Sequence, residues 1–402
     1  MPADADVVIV GGSVAGAALA AYLARRGRSV AVLDRARFPR EKPCGEGLMP
    51  HGVDLLAELG LLDRLRAAGA RELYGVRYTL ESGATVAARF PRVSGRAPFA
   101  LGVRRLALDE ILLDAARQTG LVAVHEGYRV RGLVRERGAV LGVTDGGTEI
   151  RARVVVGADG VRSQLRHWLG WDRSRRRPRR YAAVGHFRFA DGAPELPQPE
   201  VEVILCTGME AYVTPLGGGE ALVALLGGRS LMSRLAGDLT GGYRRTVLSQ
   251  PRLAHILRDA ELLPGVRATG PFAVRAAPTC GPGALLVGDA AGFLDPITGE
   301  GMASALQQAK AAAAVIDAAL SAGPGTPDLG AYAAAHRRIT RTGDLLTWVA
   351  LGLTTFPRLT PRAMRGLQSR PCLFGKLLAV NCGFAGLGSI SARDWLALVS
   401  GR

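Results

Sequence analysis

The sequence predicts an α/β protein. It reads as a three-layer domain around a parallel sheet, with an antiparallel sheet inserted into it and a helical segment behind. Three observations carry this. Two apolar runs at 6–10 and 29–33 flank a Gly-rich turn and a helix-spaced stretch, a β-turn-α-β order within about 30 residues. A further apolar run at 284–288 precedes another Gly-rich turn and an Ala-rich helix over 301–320. Between them, 73–90 and 180–235 alternate as strands of a half-buried sheet do.

Taken in order, 6–10 (DVVIV) is the first strand, 14–26 the first helix and 29–33 (SVAVL) the second strand. Such uninterrupted apolar runs suit a parallel sheet covered on both faces. Residues 73–90 form a hairpin turning at 81–84, and 104–119 a helix. Residues 121–156 are strands with a turn at 145–147, closing on the apolar VVV that precedes Gly157. Strands over 180–235 turn at 217–219. The remainder, 330–402, reads as helical segments broken at Pro357, Pro361 and Pro371. No internal repeat is present. The expected division is a discontinuous first domain (1–72, 97–172 and 268–344), a substrate-binding domain (73–96 and 173–267) and a helical cap (345–402).

With 402 residues, 48% hydrophobic and 21% charged, the chain is long and apolar enough for a large core. The net charge of +16 comes almost wholly from arginine; the lysines are Lys42, Lys310 and Lys376. The arginine cluster at 173–180 has no interleaved aromatics, so it reads as a solvated loop and no nucleic-acid partner is expected. Five widely spaced cysteines (Cys44, Cys206, Cys280, Cys372 and Cys382) without a CxxC argue against a disulfide framework or a metal site, and for a cytoplasmic setting. The acidic start MPADAD is unlike a leader, and Arg25 and Arg26 interrupt the first apolar stretch too early for a membrane span.

Three strand-to-helix turns carry chemistry. In Gly11-Gly12-Ser13-Val14-Ala15-Gly16, Gly11 permits the tight turn and Gly16 the close approach of helix and sheet. The helix N-terminus then offers free N–H groups and partial positive charge to a pyrophosphate. Ser13 replaces the usual second glycine. Asp34, followed by Arg35, ends the second strand, where a carboxylate can accept from ribose hydroxyls. The second turn is Gly157-Ala158-Asp159-Gly160, and the third Gly288-Asp289-Ala290-Ala291-Gly292 with Asp295-Pro296-Ile297-Thr298-Gly299-Glu300-Gly301-Met302 behind it.

These turns, in this order and spacing, resemble the superfamily of FAD-dependent group A aromatic hydroxylases, which also holds the geranylgeranyl reductases and flavin-dependent halogenases. The resemblance covers nearly the whole chain. It implies an FAD-binding Rossmann-like domain in which the first turn holds the ADP part and the second, at Asp159 and Gly160, buttresses FAD. It implies that Asp289 bonds the ribityl chain. It also implies that Pro296, Thr298, Gly299, Glu300, Gly301 and Met302 bring a helix N-terminus to the isoalloxazine, where it stabilises negative charge on the reduced ring. Arg105, in Arg-x-x-Leu-Asp, matches the family arginine on the FAD phosphate. Cys44 and Gly45, in Lys-Pro-Cys-Gly-Glu-Gly, match the loop beside the flavin, as in the reductase branch.

The resemblance leaves several activities open. The leading one is a monooxygenase that hydroxylates or epoxidises a hydrophobic aromatic or polyketide-like substrate through a flavin C4a-hydroperoxide. It would take O2 and electrons from NADPH or NADH, bound transiently, or from a separate flavin reductase. Tyr212 and Thr214, on a strand over the flavin, and Cys44 are its candidate catalytic residues. The second activity is reduction of isoprenoid or other C=C bonds. Against it stand Tyr212-Val213-Thr214-Pro215 in place of the branch's aromatic-rich strand, and Glu46 where glycine is common. The third, halogenation, lacks its Trp-x-Trp motif among Trp168, Trp171, Trp348 and Trp395. A non-enzymatic flavin-binding regulator is the fourth. Residues 345–388 mix apolar side chains with arginines; they read as a packed helical cap or, more sharply, as a peripheral membrane contact for a greasy substrate.

Overall fold

The computed structural model describes residues 3–174, 180–190, 199–356 and 358–401. Most of the arginine cluster at 173–180, and the helix break at Pro357, lie outside the described residues.

The chain opens with β1 (Ala5–Val10), α1 (Val14–Ala24) and β2 (Val30–Asp34). Helix α1 is buried on every side, and its run of alanines makes that possible: small side chains let it lie between the sheet and two other helices. Next come α2 (Pro50–Glu58) and the antiparallel hairpin of β3 (Gly75–Leu80) and β4 (Thr85–Arg89). Helix α3 (Arg105–Arg117), β5 (Val122–Glu126), β6 (Glu149–Gly157) and the short α4 (Gln164–Trp168) return to the first sheet. Strands β7 (Tyr181–Phe189), β8 (Glu200–Cys206), β9 (Met209–Pro215) and β10 (Glu220–Gly227) extend the second. After β11 (Ala284–Leu286) and a two-residue strand at Gly292–Phe293 the chain is helical: α5 (Gly301–Ser321), α6 (Gly330–Thr355), α7 (Leu359–Ser369), α8 (Pro371–Asn381) and α9 (Ala392–Ser400).

The first sheet has the parallel order β11-β6-β1-β2-β5, and α1 packs on α3 and α5. The second runs β7-β10-β9-β8-β3-β4. It is antiparallel except where β8 joins β3 in parallel, with Glu200 opposite Gly75.

Three expectations need correction. Residues 229–235 are a helix, not a strand, and helices at 239–248 and 251–256 follow. Their apolar residues repeat at helical spacing: Leu231, Leu235, Tyr243, Val247 and Leu253 cover one face of the second sheet over Phe187, Val213 and Val223. The Tyr243 hydroxyl donates to Val223 O at 2.7 Å, and its ring fits because Gly185 has no Cβ there. Pro361 breaks no helix; it stands in the first turn of α7, where a backbone N–H has no intrahelical partner to lose. The boundary drawn at 344/345 falls inside the continuous helix α6.

Candidate active site

The site begins at the β1–α1 turn. Gly11 has φ of +107°, and a Cβ on Gly16 would stand 1.8 Å from Gly11 O, so the turn closes only with glycines. Gly12 donates its N–H to Asp34 Oδ2 at 2.8 Å, and Asp34 Oδ1 accepts from Ala36 N at 2.8 Å. Arg35 is exposed. Ser13 precedes α1 without capping it: its Oγ donates to Asp109 at 2.8 Å and accepts from Arg105 Nη2 at 2.6 Å. Arg105 is therefore buried at the helix start, with its guanidinium also on both carboxylate oxygens of Asp109. Lys42, which motif reading passed over, reaches into the same place, its Nζ 3.5 Å from Ser13 Oγ. Burial, and then the charge of Arg105, push the Lys42 ammonium below its ordinary pKa.

Asp289 is half-buried, in a tight turn that starts at Gly288 with φ of +60°. Gln308 of α5 accepts the Gly288 N–H at 2.8 Å, and Arg166 donates to Ala290 O at 3.0 Å and Val161 O at 2.8 Å. Burial raises the Asp289 pKa while Lys42 and Arg105 pull it down. Asp159 is turned away: its carboxylate accepts from Ser163 Oγ (2.5 Å), Gln164 N (2.7 Å) and Leu165 N (3.2 Å) at the start of α4. Its neighbour Gly160, with φ of +80°, lines the cavity instead.

The third turn runs from Asp295 to α5, whose N-terminus no side chain caps. Glu300 faces backwards, accepting from Asn381 Nδ2 at 2.6 Å and pairing with His51 Nε2 at 3.0 Å. Asn381 also donates to Thr298 O at 3.3 Å. Asp295 Oδ1 accepts from Ile297 N at 3.1 Å; burial pushes its pKa up to about 7 against the pull of Arg180, 3.3 Å away. Facing this turn, the 43–47 loop is pinned by Thr214 Oγ1, which donates to Gly45 O at 2.8 Å. Glu46 adopts φ of 54°, a conformation natural to the glycine common there. Its buried carboxylate accepts the Arg105 N–H at 2.7 Å and pairs with His186 Nε2 at 2.8 Å. Cys44 Sγ accepts the Glu46 N–H at 3.4 Å and lines the cavity.

These pieces surround a cavity of about 410 Å³. One wall is Ser13–Ala15, Lys42–Gly45, Arg105, Asp289 and the Pro296–Met302 turn. The other is apolar, from Val76, Val203, Ala224 and Leu226 of the second sheet and Leu353, Met364 and Leu398 of the C-terminal helices. Tyr212 and Thr214 stand in the apolar wall, but neither hydroxyl is free. Tyr212 Oη lies 3.2 Å from Ile297 O and from Glu210 Oε2, and burial raises its pKa well above the ordinary value. Gly11, Gly12, Gly16, Asp34 and Arg35 do not line the cavity, and Glu300 stands behind the turn that does. Sequence reading did not find Glu46–His186, His51, Asn381 or Gln308, since each acts on a partner remote in the chain.

The residues fit FAD. Two helix N-termini without side-chain caps, those of α1 and α5, face one cavity. Buried Arg105 and half-buried Lys42 stand at the α1 end, where a diphosphate needs cations, and glycines line the route between.

The arrangement defines a flavoprotein of the oxidoreductase class. The chain belongs to the FAD binding domain family, whose model matches residues 4–212. It is 33% identical over 344 residues to a menaquinone reductase of Mycobacterium tuberculosis, covering 78% of this chain and 77% of that protein. It is 35% identical over 176 residues to a 6-methylpretetramide 4-monooxygenase of Streptomyces rimosus, 42% of each chain. A flavoprotein/dehydrogenase from Cytophaga hutchinsonii superimposes with a TM-score of 0.81 over 94% of this chain and 93% of its own, at 21% identity. The chain is thus an FAD-dependent oxidoreductase with monooxygenase relatives. No helix among the described residues is long and apolar enough to cross a membrane.

Proposed function

We propose that the chain is a monooxygenase that hydroxylates or epoxidises a hydrophobic aromatic or polyketide-like substrate. FAD supplies the activation of O2 once it has been reduced by NADPH or NADH, directly or through a separate flavin reductase. One oxygen atom enters the substrate, and the other leaves as water with two electrons and two protons. Lys42, Arg105 and the α1 N-terminus hold the diphosphate, and Asp289 the ribityl chain. The α5 N-terminus favours negative charge on the reduced ring.

The carrying observation is the apolar wall, in which both hydroxyls are already engaged with backbone carbonyls. Oxygen transfer asks the protein to exclude water and to position the substrate carbon, with no nucleophile of its own. Reduction of a C=C bond is the second reading, favoured by the length of the match to the menaquinone reductase. It needs a proton donor for the second carbon, and Cys44 is the thiol on the cavity wall.

The test is turnover of FAD-loaded protein with NADPH, a flavin reductase, alkylated phenols and polyprenyl quinones under isotopically labelled dioxygen. A product carrying one labelled oxygen is expected. A product that gains only two hydrogens, and still forms under argon, would establish reduction instead.

A further inference from the structure

We infer that the C-terminal helices form a docking face for an anionic lipid surface. The charge of the chain is unevenly spread. Residues 330–402 hold ten Lys/Arg and two Asp/Glu, so this stretch carries +8 of the net +16. One of the two acids, Asp394, is buried beneath Arg370 and Lys376 at 3.2 and 3.0 Å. Arg358, Arg362 and Arg365, exposed and spaced by four and three, make one outward stripe along α7.

The same helices leave bulky apolar side chains in water. Leu345, Trp348 and Phe356, spaced by three and eight, lie on one stripe of α6 and its C-cap. Leu396 and Val399, three apart, do the same on α9. These five are 43–65% exposed and make up half of the exposed large apolar side chains among the described residues. Helices α7 and α9 cross closely: a Cβ on Gly366 would stand 2.1 Å from Ala397 O, and Gly401 lies against Arg362 and Arg365. Val399, two residues earlier, therefore borders the α7 arginines.

Large apolar side chains bordered by uncompensated arginines match a bilayer interface with anionic headgroups. A second copy of the chain would bring the same arginine stripe to the contact and repel it. A nucleic acid would satisfy the arginines but leave five apolar side chains against phosphates or water. With no described helix able to span a bilayer, the attachment is peripheral. The inner sides of these helices carry Leu353, Met364 and Leu398 into the cavity, so an apolar compound held in lipid would meet the helices that wall the site.

The test is co-sedimentation of the full FAD-loaded chain with phosphatidylcholine vesicles, with and without roughly one-third phosphatidylglycerol. Binding is expected to the anionic vesicles and to weaken in high salt. Arg362→Gln with Arg365→Gln should weaken it about fivefold per arginine. Phe356→Glu with Leu396→Glu should weaken it at least about tenfold, with flavin content unchanged to show that the fold is kept. Trp348 emission should shift to the blue on vesicle addition, a change absent from Trp348→Phe. Equal affinity for neutral vesicles, no binding by the loaded chain, or binding indifferent to both double variants would overturn the inference. So would a self-associated or nucleic-acid-bound state that shields Trp348 in the absence of lipid. None of these readouts depends on the reaction catalysed.

Discussion

On the dinucleotide wall of the cavity nearly every polar side chain is held by another. Arg105 lies on Asp109 and Ser13, and Glu46 on His186 and the Arg105 N–H. On the opposite wall, Val203, Ala224, Leu226, Met364 and Leu398 line the cavity with apolar side chains that take part in no hydrogen bond. The first wall is rigid because a buried charge without its partner is costly, so its side chains have one arrangement. The second excludes water and imposes shape, and can change its residues without breaking a network. Cofactor retention should therefore depend on the first wall and substrate choice on the second.

The comparison breaks most readily at Arg105. Arg105→Ala leaves buried Asp109 with only the more distant Arg40, at 3.9 Å, as its cation, and should cost about 3 kcal/mol together with most of the bound flavin. Urea unfolding and flavin absorbance of the purified protein measure both. Wild-type flavin content in this variant would show that the wall does not rely on the network.

Asp295 tests the junction of the two walls. Burial raises its pKa to about 7, above the unfolded value of about 4. The folded state therefore holds the extra proton, so the contribution to stability is full below about pH 4 and is lost as pH rises through about 7. Asp295→Asn should flatten thermal stability over that window and exceed wild type at about pH 8 by on the order of 2 kcal/mol. An unchanged pH profile would sink the assignment.

Tyr212→Phe removes the hydroxyl beside Ile297 O, and should cost about 1 kcal/mol while FAD is retained. Ala224→Leu should change stability by less than about 1 kcal/mol, yet raise substrate KM about tenfold by filling the apolar wall. If flavin content falls instead, the separation of the two walls is wrong.

The turn that supports the dinucleotide wall was legible because its signals are contiguous. Glycines at 11 and 16 answer to a turn and a packing distance set within a few residues, and Asp34 follows at the end of the next strand. The helices at 229–256 were missed because the strand reading was carried past Gly227-Gly228, the break that stands just before Arg229. Glu46 was misread as a mere departure from glycine. Its value lies in His186, 140 residues away, which no local pattern announces. Asp159 was legible as a turn residue, but not as one whose carboxylate is taken by the start of α4.

By itself the sequence determined the βαβ turn and the glycine-rich strand-to-helix turns, and hence the class of cofactor. Glycine freedom, helix dipoles and apolar periodicity act over short stretches of chain. Only the tertiary structure decided which polar groups are engaged and which are left to meet a ligand. It buried Arg105 against Asp109, tied Tyr212 and Thr214 to carbonyls, and closed the cavity with helices from the far end of the chain. Those outcomes turn on desolvation, and how far a group is removed from water depends on residues remote in sequence.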